Sequence, residues 1–175
     1  MVTSDDHGGL VTALKKQFQG ASWQRCQTHF SRNLLEHTPK AQQPQLKEDI
    51  REVYEATDMV SARMAKERLM HEYEKNAPKA MQILDETFDD IMAVMALPLK
   101  YRKRLRTTNG VERLNQEVRR RERVIRIFPN EASVIRLLGS LLMEQDDRWS
   151  SGRKYLDMER LGEEEVEEKK IVTVA

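Results

Sequence analysis

Apolar residues recur along most of this chain at the spacing of α-helices, and only short stretches break that rhythm. Val2-Thr3-Ser4 reads as the end of a strand. Leu10, Val11, Leu14 and Phe18 then fall at helical spacing over 9–19, and Gly20 ends the run. Ala21 to Cys26 suits a short buried strand, and Phe30, Leu34 and Leu35 predict a helix of about three turns. Thr38 and Pro39 next read as the cap and first position of a new helical segment. From there to Leu97 the pattern is helical throughout. Leu46, Ile50, Val53 and Tyr54 form one apolar stripe, and Val60, Met64 and Leu69 form another behind Asp58 as a cap. Pro78 opens a third helix, with Met81, Leu84, Phe88, Ile91, Met92 and Met95 facing inward. These three pieces predict a small antiparallel bundle joined by short turns.

Pro98 closes that pattern. Asn109 begins a helix to about Arg123, and Val124–Phe128 reads as a short extended stretch. Pro129 and Asn130 then cap a final helix over about 131–147. The expected class is mainly α. Aromatics at 6%, seven Gly and five Pro are too few for the turns and β-rich runs of an all-β sandwich. At 175 residues the chain suits one domain, or one domain with an extension. Met1 stands directly before a strand end, which suggests an amputated N-terminus.

Charge changes the picture more than composition does. The net charge of +1 conceals two blocks of opposite sign. Lys100 to Arg126 holds eleven Lys/Arg against three Glu, and Asp157 to Glu168 holds seven acids against one Arg. The first block predicts a polyanionic partner. The second, within 157–175, predicts an acidic disordered tail. The single Cys26 excludes an intramolecular disulfide framework and fits a reducing cytoplasm. No apolar run reaches the ~18 residues of a membrane span, and no basic-then-apolar leader opens the chain.

Three places hold candidate chemistry. Ser4-Asp5-Asp6-His7-Gly8-Gly9-Leu10 sits at a strand-to-helix junction. A carboxylate there either caps the helix N-terminus or stands at the carboxyl edge of a sheet, where open α/β folds place ligands. Cys26 and His29 have metal-ligand spacing, but a structural zinc site needs about four ligands and no second Cys or suitable His pair exists. Local packing is therefore the favoured reading of that pair. In Thr107–Arg121, Asn109 and Glu112 fit a capping box. Yet Glu112, Asn115, Gln116, Arg119 and Arg123 also share one helix face. A carboxylate beside Asn and Arg suits a hard cation and phosphate oxygens.

These blocks, in this order and spacing, resemble the Mutator-type transposases of bacterial insertion sequences over roughly residues 2 to 156. The resemblance rests on Ser4–Leu10, on Trp23–His29 followed by Asn33-Leu34, on Thr107–Asn130, and on Arg148-Trp149 with Tyr155-Leu156. It implies an incomplete ribonuclease-H-like (α/β) catalytic fold with a helical-bundle insertion. The expected organisation is 1–37 catalytic, 38–98 inserted bundle, 99–156 catalytic with a basic DNA-facing helix, and 157–175 tail. It further implies a metal-dependent DDE enzyme that cuts and joins DNA using Mg²⁺ or Mn²⁺. Asp5 would be the second acid and Glu112 the third, close enough to share a cation. The segment holding the first Asp has no counterpart here, so the chain alone is expected to be inactive. Cys26 and His29, with Asn109 and Asn115, would shape or assist the site. Lys103, Arg104, Arg119, Arg120, Arg121 and Arg123 would bind DNA. The expected partners are element-end and target DNA, a second copy or a full-length transposase, and no membrane. The expected location is the bacterial cytoplasm, at the nucleoid. The alternatives are a non-catalytic DNA-binding helical module, indifferent to Mg²⁺, and an inhibitor of a full-length transposase.

Overall fold

A computed structural model describes residues 1–152 and 156 of the chain. The acidic tail expected at 157–175 lies outside the described residues. Helix dominates. Two short strands pair in parallel, β1 (Val2–Ser4) and β2 (Trp23–Arg25), with α1 (Gly8–Gln17) as the crossover that a parallel pair requires. Gly20, at a φ of 85°, makes the left-handed turn that returns the chain from α1 to β2. The register sets Ser4 opposite Arg25, and the amide of Cys26 donates to Ser4 O at 2.8 Å.

Helices α2 (Gln27–Glu36), α3 (Gln43–Glu55), α4 (Met59–Tyr73) and α5 (Pro78–Met92) share one apolar core. Phe30, Leu34, Leu46, Val53, Leu84, Ile91 and Met92 are among its fully buried members. A single 3₁₀ turn, Ala93–Ala96, leads into α6 (Leu99–Leu105), a short helix inside the basic block that apolar spacing does not announce. Then follow α7 (Asn109–Ile125) and α8 (Glu131–Ser151). The chain divides into two compact units, Met1–Thr108 and a second beginning at Asn109. Among the described residues no helix is long and apolar enough to cross a membrane.

Three local expectations need correction. Thr38 does not cap a helix: its buried hydroxyl donates back to Leu34 O at 2.8 Å and closes α2, while α3 starts five residues later, at Gln43, with Pro44 in its first turn. On α4 the inward face is Ala62, Ala65, Lys66, Leu69 and Tyr73, whereas Val60 and Met64 are about two-thirds exposed. Small alanines allow close helix approach, and the Lys66 ammonium is paired with Asp85 and lies 5.2 Å from the Phe88 ring. Finally, Val124 and Ile125 complete α7 rather than forming an extended stretch. Arg126 at a φ of 62° ends the helix in a left-handed step, and Ile127 stands exposed beyond it.

Asp58 caps α4 as expected, accepting from the Ser61 amide at 2.8 Å. That amide, with the Thr57 and Ser61 hydroxyls, holds its carboxyl below the usual carboxylate range. Because the folded pKa is depressed, the cap's stabilisation is present above the ordinary carboxylate value of about 3.9 and is lost as pH falls through the lower folded value. Asp58→Asn is therefore expected to lower the thermal midpoint at neutral pH and to match the parent in strong acid. A gap that stays constant with pH would remove charge from the explanation.

Candidate active site

The strand register builds a candidate site within the first unit. With Ser4 opposite Arg25, the next residues, Asp5 and Cys26, leave the two strands side by side. One helical turn on, His29 lies on the same side of α2 as Cys26, and its Nδ1 is 2.5 Å from Asp5 Oδ1. Ligand atoms of Asp5, Cys26 and His29 all lie within 4.8 Å of one another. The Asp5 side chain is about half exposed, that of His29 less so, and Cys26 is fully buried. A carboxylate is thus presented to solvent from a closed, polar floor.

The surrounding groups hold that arrangement. The Trp23 indole N–H donates to Ser4 Oγ at 2.9 Å, and Ser4 Oγ donates to Asp5 O at 2.9 Å. Asp6 pairs with the buried Arg25 at 3.1 Å, so the neighbouring acid is already engaged. Helix α1 is capped by neither acid. His7 Nδ1 accepts from the Leu10 amide at 3.4 Å, so capping does not account for Asp5. The Thr108 amide and hydroxyl donate to Cys26 Sγ at 3.4 and 3.3 Å. The amide of Gln27 donates to Arg106 O at 3.0 Å, and Thr3 Oγ1 donates to Leu105 O. The chain just before α7 is therefore tied to the strand ends.

The second unit carries the other candidates. Glu112 lies in the first turn of α7, where the helix dipole favours a carboxylate. Asn109 is the first helical residue, and Asn115 is exposed on the helix. The six candidate DNA-binding cations are not equivalent. Arg120 makes a two-pronged contact with Glu117 at 2.8 and 2.7 Å, and Arg121 reaches Glu117 at 3.0 Å and Glu144 on α8 at 3.8 Å. Hydrogen bonds from Arg120 and Arg121 hold the Glu117 carboxyl at about 2, so it stays ionised. Arg119 and Arg123 are exposed with no ion pair among the described residues. In the first unit Lys103 and Arg104 are exposed on α6. Arg102 and Arg106 donate to the carbonyls of Leu97, Thr57 and Tyr54.

Sequence spacing yields Cys26 and His29 as a pair but misses the third member of their cluster. The usable signal was the parallel strand pair, since β1 and β2 aligned by their ends place Asp5 beside Cys26.

Known proteins resemble this chain over the same stretch. Residues 1–152 match the model of the family described as Transposase, Mutator family. The transposase for insertion sequence element IS256 in transposon Tn4001 of Staphylococcus aureus is 44% identical over 163 residues, covering 91% of this chain and 42% of that protein. The transposase for insertion sequence element IS1081 of Mycobacterium tuberculosis is 40% identical over 161 residues, covering 92% and 39%. A third, for insertion sequence element ISRM5 of Rhizobium meliloti, is 36% identical over 163 residues, covering 93% and 41%. The chain thus spans about two fifths of the length of these curated relatives.

Proposed function

Because the chain belongs to the Mutator family of transposases, we propose that it supplies two acids and a phosphate-binding surface to DNA cleavage and strand transfer on a ribonuclease-H-like fold. The observation that carries the reading is Asp5. It is a half-exposed carboxylate at the carboxyl end of β1, braced by His29 and relieved of any capping role by His7. The parallel β1–α1–β2 unit supports the ribonuclease-H-like assignment, since open parallel sheets place ligands at that edge.

Asp5 and Glu112 are hard oxygen donors of the kind that hold Mg²⁺ or Mn²⁺. When bound, such an ion stabilises charge on phosphate oxygens and acidifies bound water. The chain's own contribution is to fix these carboxylates: His29 orients Asp5, and the first turn of α7 favours Glu112 as an anion. Arg119 and Arg123 in the second unit, with Lys103 and Arg104 in the first, bind phosphate oxygens of element-end or target DNA.

DNA binding tests the surface. Fluorescence anisotropy with a short duplex is expected to show weak binding without marked sequence preference, falling steeply with salt as counterions are released. Arg119→Ala with Arg123→Ala should flatten the log–log salt slope by about two. Glu117→Gln should raise affinity by freeing Arg120 and Arg121. Binding indifferent to salt, or unchanged in the double variant, removes α7 from the interface. Strand cleavage that survives Glu112→Gln removes the chemical half of the proposal.

A further inference from the structure

We propose that the cavity between α7 and α8, walled by Trp149, takes up one unpaired nucleobase of a bound DNA strand. The inference rests on the DNA-binding reading above and adds a site for a base to the arginines that hold phosphate.

The cavity measures about 270 Å³ and lies wholly within the second unit. Gly110, Arg113, Leu114 and Glu117 line it from α7, and Gln145 and Trp149 line it from α8. On each helix these positions share one face, at three- and four-residue spacing. Pockets that enclose drug-sized ligands run to roughly 300–1,000 Å³, so this one suits a single ring system rather than a base pair. Trp149 is 60% exposed, although tryptophan is buried in most folded proteins, and its ring is therefore open to a partner. Half-buried Leu114 adds apolar surface. Beside Gly110 no atom lies within 4 Å of where a Cβ would stand, so that side of the cavity is open.

The polar groups of the lining are uncommitted where a nucleotide needs them. Arg113, Gln145 and the Trp149 indole N–H make no hydrogen bond or ion pair among the described residues, whereas the charge of Glu117 is met by Arg120 and Arg121. An indole face stacks on a base, a side-chain amide pairs with the edge of adenine, and a guanidinium holds the phosphate. An apolar peptide in the same place would leave Arg113 and Gln145 desolvated without partners. The base must be unpaired. Arg119 and Arg123 fall outside the cavity-lining face of α7, and the width of a helix, about 10–12 Å, keeps a base within a duplex held by them from reaching Trp149. A nucleotide released from pairing swings past that barrier.

Fluorescence anisotropy of the 175-residue chain tests this with three labelled DNAs. They are a short duplex, the same duplex with one extra unpaired adenine, and that duplex with an abasic unit in the adenine's place. The unpaired adenine is expected to tighten binding about tenfold over either of the others, as one base stacked on an aromatic ring does. Raising salt should weaken all three while preserving the ratio, because stacking releases no counterions. Trp149→Ala should erase the preference and leave duplex affinity within about twofold, Trp149→Phe should retain most of it, and Gln145→Ala should lower it a few-fold. Arg119→Ala with Arg123→Ala should weaken all three DNAs alike. Duplex binding with no preference for the unpaired adenine overturns the cavity alone. So does equal binding of the adenine and abasic bulges, or a preference that survives Trp149→Ala. Failure to bind any of the three overturns the phosphate surface and the cavity together.

Discussion

Glu112→Gln, placed in a family-length transposase that carries this segment, is expected to lower strand cleavage by at least about 10³-fold while leaving DNA binding within a few-fold of the parent. Glutamine keeps the shape and the hydrogen-bonding reach of glutamate but not its charge. Phosphoryl transfer depends almost wholly on positioning and charge stabilisation, so the loss falls on the rate rather than on affinity. Asp5→Asn should act alike in the same assay. Single-turnover cleavage of a labelled element end, beside anisotropy on the same DNA, separates the two effects. A Glu112→Gln protein cleaving within about tenfold of the parent would dismiss Glu112 as a catalytic residue. Under the proposed function Asp5 and Glu112 would be two acids of a three-acid set, so residues 1–175 by themselves are expected to give no Mg²⁺-dependent nicking of supercoiled plasmid, and nicking that vanishes on Glu112→Ala would show that two acids suffice.

Gln24→Leu is expected to cost about 2–4 kcal/mol of stability, a large share of a small domain's total. The Gln24 amide is fully buried. Its Nε2 donates to Ile91 O at 2.8 Å and to Arg25 O at 2.7 Å, and its Oε1 accepts from the Val94 amide at 2.6 Å. It is thus a joint between β2 and the end of α5. Leucine fills similar space but leaves the Val94 N–H without its acceptor in a place sealed from water, which is more costly than losing an exposed bond. Gln27 Nε2 still reaches Ile91 O at 2.9 Å, so that carbonyl keeps one partner and the effect stays below complete unfolding. Urea denaturation should show a lower midpoint at unchanged slope. A shift worth less than about 0.5 kcal/mol would mean that the joint lies elsewhere.

Much of this architecture was legible in the sequence because its breakpoints are chemically explicit. Gly20, Asp58, Pro78 and Asn130 each mark a turn or helix start by a local mechanism, and each stands where the chain changes course. The α4 face was not legible. A count of apolar side chains favours Val60 and Met64 and cannot see that Lys66 is buried because Asp85, nineteen residues away, receives its charge. The end of α7 was hidden for a similar reason, since an arginine at positive φ carries no compositional signal. In the basic block, a charge tally cannot separate Arg102, engaged by two backbone carbonyls, from the exposed Lys103 beside it. The family motifs located Asp5, Cys26 and His29 individually. Their meeting depends on a strand register, which pairs residues twenty-one apart and leaves no periodic trace.

The helices between Gln27 and Arg106 leave and re-enter the strand end almost at one point: the Gln27 amide binds Arg106 O, and Thr3 binds Leu105 O. A closed excursion of this kind transmits nothing about its own length to the place where it is fastened. Helical turns can be added, deleted or exchanged for another compact module without stretching the clasp, as with domains inserted where chain ends lie close together. The strand end is therefore mechanically insulated from changes in the length or packing of the bundle that it fastens.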